Sequence, residues 1–545
     1  MKKNLSVFIP ALKKNVAFQD DLVKKIAGTS LIQRSINKAI NLCVDKSDVY
    51  ILTDSEEIQL IAKRNSVRVF LDPDLVWDQV EFFSKLSDYL GQFIHKSEYI
   101  LLLSPYAPLL TEDIICNALQ SLVDSNYDVL KPVKHFKHSI NDNKNQTFSN
   151  ALFGSDVKTQ IVESEVFILF RAKLLLGNQN QNVKIFLWEV ENDLFEINSY
   201  HDWWVCEKLI TRKKIIFRVI GNNIVGMGHI YRALTLAHEI TDHEVLFVCD
   251  SDNSEAVNKL AGYDYWFGAY NPEEIIDRII EMQPDLVIND ILSTTKEDVN
   301  QLHENGIKVV NFEDLGEGAS LADLTINELY DEPEIAGENI LWGYNYFFVR
   351  DEFHDAVPHN FNKKVREVLL AFGGTDQHNL SSKIYHAIKD FCEDRDIHIN
   401  IVTGPGYMKF SDLAKDVKGK NVLLTRSTGV ISSIMEKSEI ALVSNGRTVY
   451  ELAHMNIPAI VISQHDREDT HIFSCKENGF FPQGIYKKGD TEKNVLASIE
   501  RLINDTDYRY ILHKRMEHFR FDLNKDVVLK KILSLLELPV TGGSK

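Results

Sequence analysis

The sequence predicts an α/β protein whose parallel sheets are covered by helices on both faces. Three observations lead there. Short apolar runs alternate with longer amphipathic stretches along the whole chain, the pattern of strand–helix units. Three of those runs pass directly into a glycine turn and then a helical stretch. The chain has 545 residues, too many for one core, and at roughly 100–200 residues per domain it should hold about three compact units.

Taken in order, Leu5–Ile9, Val49–Leu52, Tyr99–Leu103, Ile215–Val219, Val245–Val248, Leu286–Ile288, Lys308–Val310, Glu367–Phe372, Ile397–Val402 and Ile440–Val443 read as buried strands. Ser30–Leu42, Ile230–Ile240, Pro272–Met282 and Leu380–Phe391 carry helical spacing between them. The polar, Lys- and Asn-rich stretch His135–Asn150 reads as an exposed insertion. The pattern restarts after Arg212–Lys214 and again near His359–Lys364. The expected units are therefore 1–212, 213–360 and 361–545. In open parallel sheets ligands bind beyond the carboxyl ends of the strands, so the loops after these runs are where function is expected.

Composition narrows the class. Hydrophobic residues make up 44% and charged residues 26%, ordinary values for a globular chain, and Gly 26 and Pro 13 are low for this length. The net charge of −19 argues against an extended nucleic-acid surface, although it leaves room for a local anion pocket built from backbone N–H groups. The six cysteines are scattered with no C-x-x-C pair, so neither a zinc knot nor a disulfide framework is expected. The N-terminus is not a signal peptide, and the densest apolar run, Tyr99–Leu110, is too short and too broken by prolines to span a bilayer. A cytoplasmic protein without a membrane span is the expectation.

The clearest chemical signal is Ile224-Val225-Gly226-Met227-Gly228-His229-Ile230-Tyr231-Arg232-Ala233-Leu234. Gly226 and Gly228 let the backbone turn and a ligand approach closely. The following helix presents unpaired N–H groups to an anion. His229 then sits at its first turn, where a neutral imidazole can act as a general base. A tight turn with a helix-capping histidine would leave the same pattern. Without a third glycine and a downstream acidic residue the motif is not a dinucleotide fingerprint, and no cofactor is expected.

Two further turns follow strands: Gly373-Gly374-Thr375-Asp376, and Asn445-Gly446-Arg447-Thr448-Val449-Tyr450-Glu451. In the latter Asn445 and Gly446 would turn the chain, Thr448 would cap a helix, and Glu451 would suit a pair of ribose hydroxyls, since a carboxylate accepts two hydrogen bonds. Each turn alone is compatible with an ordinary strand-to-helix connection. Together they could face across a cleft and hold a nucleotide diphosphate.

From about Ile215 to Leu538 the chain resembles the nucleotide-sugar hydrolases that remove UDP in pseudaminic acid biosynthesis, relatives of the GT-B glycosyltransferases that make lipid II. The matching stretches are Gly226–His229 with Arg232; Asn311–Asp314; Ala322–Asn327; Gly343–Tyr346 with Arg350 and Phe353; Gly373–Asp376 with Asn379 and Leu380; and Asn445–Glu451. The resemblance implies a two-lobed GT-B fold with His229 catalytic. It implies Gly226, Gly228, Arg232, Asn327, Tyr346 and His471 as substrate-binding residues. It further implies Gly373, Gly374, Thr375, Asp376, Asn445, Gly446, Thr448 and Glu451 as nucleotide-binding residues, with no metal. Two stretches depart from the family pattern: Asn289-Asp290-Ile291 replaces an Asp-x-Tyr, and Arg467-Glu468 replaces an Asn-Gln.

The first 212 residues resemble CMP-sialic-acid-type cytidylyltransferases, which implies a Rossmann-like nucleotidyltransferase (GT-A-like) domain and allows a dimer through it. Ile9-Pro10-Ala11, Ile26–Ile32, Val49–Asp54 with Glu57 and Ile58, and Ser104–Leu110 carry the match. The charge-bearing positions depart. Leu12, Val16, Asp21 and Leu22 stand where three cations and an asparagine are typical, Leu110 replaces an arginine, and Glu196-Ile197-Asn198 replaces a metal-binding Asp-Ile-Asp. Lys13, Lys14, Lys24 and Lys25 are the nearby cations. The expectation is a UDP-sugar hydrolase of nonulosonic acid synthesis fused to a degenerate cytidylyltransferase-like domain. The alternatives are a glycosyltransferase using a nucleotide sugar, a bifunctional enzyme with an active front domain, and a front domain that only docks partners.

Overall fold

The computed structural model describes residues 4–13, 18, 20–74, 97–139, 157–176, 182–190, 195–222, 225–417, 419–426 and 428–537. Val16, Lys14, Ile224 and most of the polar stretch His135–Asn150 lie outside them. The chain divides into two compact units, Met1–Arg212 and Lys213–Lys545. All six cysteines are free, and no helix among the described residues is long and apolar enough to cross a membrane.

The first unit is built on β1 Leu5–Pro10, a small hairpin of β2 Lys25–Ile26 and β3 Thr29–Ser30, and then β4 Val49–Thr53, β5 Arg68–Leu71, β6 Tyr99–Leu103, β7 Val129–Ser139, β8 Val157–Glu163, β9 Phe167–Arg171 and β10 Ile185–Glu189. Its main sheet runs β10-β7-β9-β6-β1-β4-β5, with β8 on β7. The strands β6, β1, β4 and β5 are parallel, and β9 runs antiparallel to β6 and β7. Alternation along the strands splits the core in two. Val7, Ile9, Val49, Ile51, Leu101 and Leu103 face one cluster, whereas Phe8, Tyr50, Leu52, Ile100 and Leu102 face the other. The helix Leu31–Leu42 covers the first with Ile32, Ile36 and Ala39, and Ser30 caps it by accepting from the Gln33 N–H.

The second unit carries two wholly parallel sheets. The first consists of β11 Lys214–Val219, β12 Glu244–Asp250, β13 Trp266–Tyr270, β14 Leu286–Asp290, β15 Lys308–Phe312, β16 Leu324–Asn327 and β17 Ile340–Trp342, ordered β13-β12-β11-β14-β15-β16-β17. The second consists of β18 Glu367–Ala371, β19 His398–Thr403, β20 Val422–Arg426, β21 Ile440–Ser444, β22 Ala459–Ser463 and β23 Phe480–Ile485, ordered β20-β19-β18-β21-β22-β23. Both orders reverse once, between β11 and β14 and between β18 and β21. These are the switch points at which loops part to leave a crevice. The α/β reading therefore holds, and each of the ten expected strands is present with ends shifted by no more than two residues.

The boundary expected at 360/361 does not partition the cores. Leu329, Tyr330, Phe347, Val349 and Phe353 pack with Val443, Tyr450 and Phe473 of the second lobe. The last helix, Asn524–Leu533, returns to the first lobe, where Val528, Leu529 and Ile532 join Phe217, Leu234 and Phe348. Its amphipathic spacing is local, whereas the sheet it covers is a long-range property that spacing does not encode.

A candidate active site at two sheet switch points

The loop after β11 is closed by a hydrogen bond from Gly226 N–H to the Asn222 carbonyl at 2.9 Å and by Val225 N–H on the Asn222 side-chain oxygen at 2.9 Å. Gly226 adopts φ 86°, which an L side chain rarely does, and the helix Gly228–Glu239 starts two residues later. His229 is thereby held in the first turn. Its neighbour at the switch point is the last residue of β14, Asp290, and the His229 Nδ1–H donates to Asp290 Oδ1 at 2.5 Å. That bond fixes the tautomer and leaves Nε2 as the lone-pair nitrogen.

Asp290 is itself clamped. Arg232, one helical turn beyond His229 and 1% exposed, donates from Nε to Oδ2 at 2.8 Å and from Nη2 to Oδ1 at 2.5 Å. The same guanidinium reaches Glu313, after β15, at 2.6 Å and Glu328, after β16, at 2.8 Å. Burial pushes the Asp290 carboxyl up, but Arg232 beside it, with His229, outweighs this and holds it below the ordinary range. Glu313 behaves alike: burial opposes ionisation, and Arg232, His229 and Arg447 overcome it. The cluster is a buried, charged frame that keeps one imidazole in one orientation.

The second lobe supplies two more turns. After β18, Gly373 takes φ 78°, and a Cβ placed on Gly374 would lie 3.4 Å from the Cα of Gly226, so the two glycine turns close against each other. Asp376 does not face the opening. It caps the helix Leu380–Glu393 by accepting from the N–H groups of Leu380 at 2.6 Å and Ser381 at 2.8 Å. After β21 the chain turns at Asn445 into the helix Arg447–His454. The expectation that Thr448 caps this helix is corrected: Gly446 occupies the cap position, with no side-chain cap bond, and Thr448 lies inside the helix. Arg447 opens it, and its guanidinium pairs with Glu328 across the cleft and donates to the Phe348 carbonyl at 3.2 Å.

Between the lobes lies a cleft of about 600 Å³. Ten of the fifteen residues expected at the site line it: Gly226, Gly228, His229, Gly373, Gly374, Thr375, Gly446, Thr448, Glu451 and His471. Five do not. Arg232 and Asp376 act from beneath, as described. Asn327 is fully buried and spends its amide on the backbone of Asp314, accepting at 2.9 Å and donating at 3.0 Å, so it braces the loop that carries Glu313. Asn445 donates to the carbonyls of Glu468 at 2.7 Å and His471 at 3.0 Å, bracing the opposite wall. Tyr346 packs against the first lobe's core.

Several lining residues had no site role assigned from the sequence, although all but Gln464 stand in the stretches quoted above. Glu313, Arg447, Arg350, Arg467, Gln464 and Glu468 all face the cleft. Glu451 already accepts from Arg350 Nε at 2.8 Å through one oxygen. Arg467 donates to the Tyr330 hydroxyl at 3.1 Å and the Glu313 carbonyl at 3.3 Å. Burial pushes the Glu468 carboxyl up to about 7. His471 donates from Nδ1 to the Asn445 carbonyl at 2.9 Å, burial lowers its pKa, and its buried Nε2 has no partner, nor has Gln464 Oε1.

In the first unit, Lys13, Lys24 and Glu196, which the sequence singled out, have partners of their own. Lys13 donates to Glu57 at 2.6 Å and Asp20 at 3.3 Å. Lys24 donates to the Tyr200 hydroxyl at 2.7 Å and lies over the Phe18 and Tyr200 rings. Asp21 and Leu12 are buried. Ser104 donates to Glu196, whose carboxyl burial pushes up.

No family model matches the chain. It is 26% identical over 324 residues to an uncharacterised protein of Methanocaldococcus jannaschii, covering 53% of this chain and 66% of that protein, just under two thirds of its length. It is 23% identical over 303 residues to the spore coat polysaccharide biosynthesis protein SpsG of Bacillus subtilis, covering 53% of this chain and 88% of the relative. It is 26% identical over 257 residues to a UDP-2,4-diacetamido-2,4,6-trideoxy-β-L-altropyranose hydrolase of Campylobacter jejuni, covering 45% of this chain and 91% of the relative. Among solved structures, Acinetobacter baumannii MurG aligns with 13% identity over 59% of this chain and 99% of its own, at a TM-score of 0.42. A CMP:2-keto-3-deoxy-manno-octonic acid synthetase bound to CTP aligns with 12% identity over 38% of this chain and 98% of its own, at 0.30.

Proposed function

We propose that the second unit is a UDP-sugar hydrolase serving the synthesis of a nonulosonic acid or a related polysaccharide sugar. The observation that carries this is the His229–Asp290 pair at the bottom of a glycine-walled cleft between two parallel sheets. The similarity to the Campylobacter hydrolase and to the Bacillus polysaccharide protein supports the substrate class.

In the proposed reaction the nucleotide lies along the second lobe, with Glu451 on the ribose hydroxyls through its other oxygen. The diphosphate sits among the backbone N–H groups of the glycine turns and the starts of the helices Gly228–Glu239 and Arg447–His454. His229 Nε2 takes a proton from water as the water oxygen bonds to the anomeric carbon. The bond from that carbon to the diphosphate oxygen breaks, and its electron pair leaves on UDP. Asp290 stabilises the imidazolium that forms, and Arg232 keeps Asp290 ionised and in place. Glycosyl transfer would use the same base on an acceptor hydroxyl. We further propose that the front unit does not catalyse cytidylyl transfer, because Lys13 and Lys24 are paired within the unit and Asp21 stands where a cation would be needed.

The test is incubation of the full chain with a panel of UDP-sugars, quantifying UDP and free sugar separately. Equal amounts of both without an acceptor are expected. Turnover that starts only on adding an acceptor would replace hydrolysis by transfer.

A further inference from the structure

Arg447 has a set of contacts that the proposed reaction does not use. It is the first residue of its helix, it lines the cleft, and its Cδ lies 3.3 Å from where a Cβ on Gly228 would sit. The side chain therefore already spans the space between the turn that carries His229 and the turn after β21. Its guanidinium packs over the Phe347 ring at 4.6 Å and ends on Glu328. Glu328 is fully buried, one of its oxygens is shared with Arg232 at 2.8 Å, and its other oxygen has no partner. Two arginines thus serve one carboxylate, and the carboxylate keeps Arg232 if Arg447 departs.

We propose that Arg447 is the counter-charge for the β-phosphate, leaving Glu328 for the diphosphate when nucleotide binds and holding the charge that develops on the leaving oxygen. This rests on the nucleotide reading of the cleft. A β-phosphate offers the planar guanidinium two oxygens, whereas in its resting place it shares Glu328 with Arg232 and meets Glu313 at 3.9 Å, and Arg–phosphate pairs are among the stronger polar contacts. Burial, with Arg232 close by, lowers the Arg447 pKa to about 10 against the pull of Glu313, Glu451 and Asp290. The ligand-free contact with Glu328 then acts as a latch that nucleotide must open.

The latch gives two substitutions opposite signs. Calorimetry on the full chain compares UDP with UMP, which lacks the β-phosphate, for the wild type, Arg447→Met and Glu328→Gln. Arg447→Met should weaken UDP binding about 10–100-fold, the worth of one charge-assisted bond, and change UMP binding less than about 3-fold. Glu328→Gln should leave UDP binding unchanged or tighten it, because the competitor for Arg447 has lost its charge. Equal weakening of UDP and UMP by Arg447→Met, or weakening of UDP by Glu328→Gln, would overturn the proposal and leave Arg447 a structural brace. A wild-type chain that binds UDP no better than UMP and neither measurably would instead sink the nucleotide reading, and this assignment with it.

Discussion

Sixty-one positions separate His229 from Asp290, yet their side chains meet at 2.5 Å because β11 and β14 are neighbours at the switch point. His229→Asn should lower kcat about 10²–10⁴-fold with nucleotide affinity retained, the range for a positioned general base. Asp290→Asn should fall in the same range, since it removes the charge that stabilises the imidazolium, and the double variant should be little worse than either single. Steady-state kinetics with UDP affinity measured in parallel checks both, and an unchanged kcat in either variant would refute the pair. Glu468 yields a stability prediction. Its carboxyl titrates near 7 in the folded chain against an ordinary 4.5, so the folded state keeps a proton that the unfolded chain has lost between those values. Stability from this group therefore falls as pH rises from about 4.5 to 7, and the full cost persists above 7. Glu468→Gln removes that cost, so thermal melts should show a larger gain in Tm at pH 8 than at pH 4.5. Equal gains at both would contradict it. His229 was legible in the sequence because the glycine turn and the histidine are contiguous. Asp290 and Glu313 stood in the quoted stretches Asn289–Ile291 and Asn311–Asp314, but their meeting with Arg232, and that of Glu328, was not legible, because it depends on strand order.

Among the elements, the legible ones were the central strands, whose unbroken apolar runs reflect burial on both faces, as in β14, β18 and β21. The edges were missed, and so were the interior strands β16 and β22, although both are fully buried. The half-exposed patterns of β10, β13 and β20 carry too little apolar contrast to read as strands. The helix Asn524–Leu533 was also missed, and with it the closing of the first lobe. Ile532 is fully buried against that lobe, so Ile532→Ala should cost about 2–5 kcal/mol in urea unfolding, the usual price of a large-to-small core change. Leu523, 72% exposed just before the helix, should cost less than about 0.5 kcal/mol when changed to Ala. Matching effects at the two positions would mean that the helix does not pack there in solution.

At the scale of the whole molecule, two units with different prospects share one chain. The front unit has a mainly parallel α/β sheet, and Leu12, Asp21 and Leu110, where the resemblance would place cations, are buried. The full chain should show no Mg²⁺-dependent pyrophosphate release from CTP with any 2-keto sugar acid as acceptor. Such release would make the protein bifunctional, and a Lys13→Ala/Lys24→Ala variant would then show whether those lysines carry it. The carboxylates that deplete this unit of positive charge could be read directly, because single substitutions alter charge without disturbing the apolar pattern. The central claim concerns the second unit: water, activated by His229, attacks the anomeric carbon. The most direct test is turnover of the best UDP-sugar substrate in ¹⁸O-labelled water, with mass analysis of the released UDP. UDP and free sugar should appear in equal amounts, with no ¹⁸O in the UDP, because the carbon–oxygen bond is the one that breaks. ¹⁸O in the β-phosphate, or no UDP until an acceptor is supplied, would contradict it.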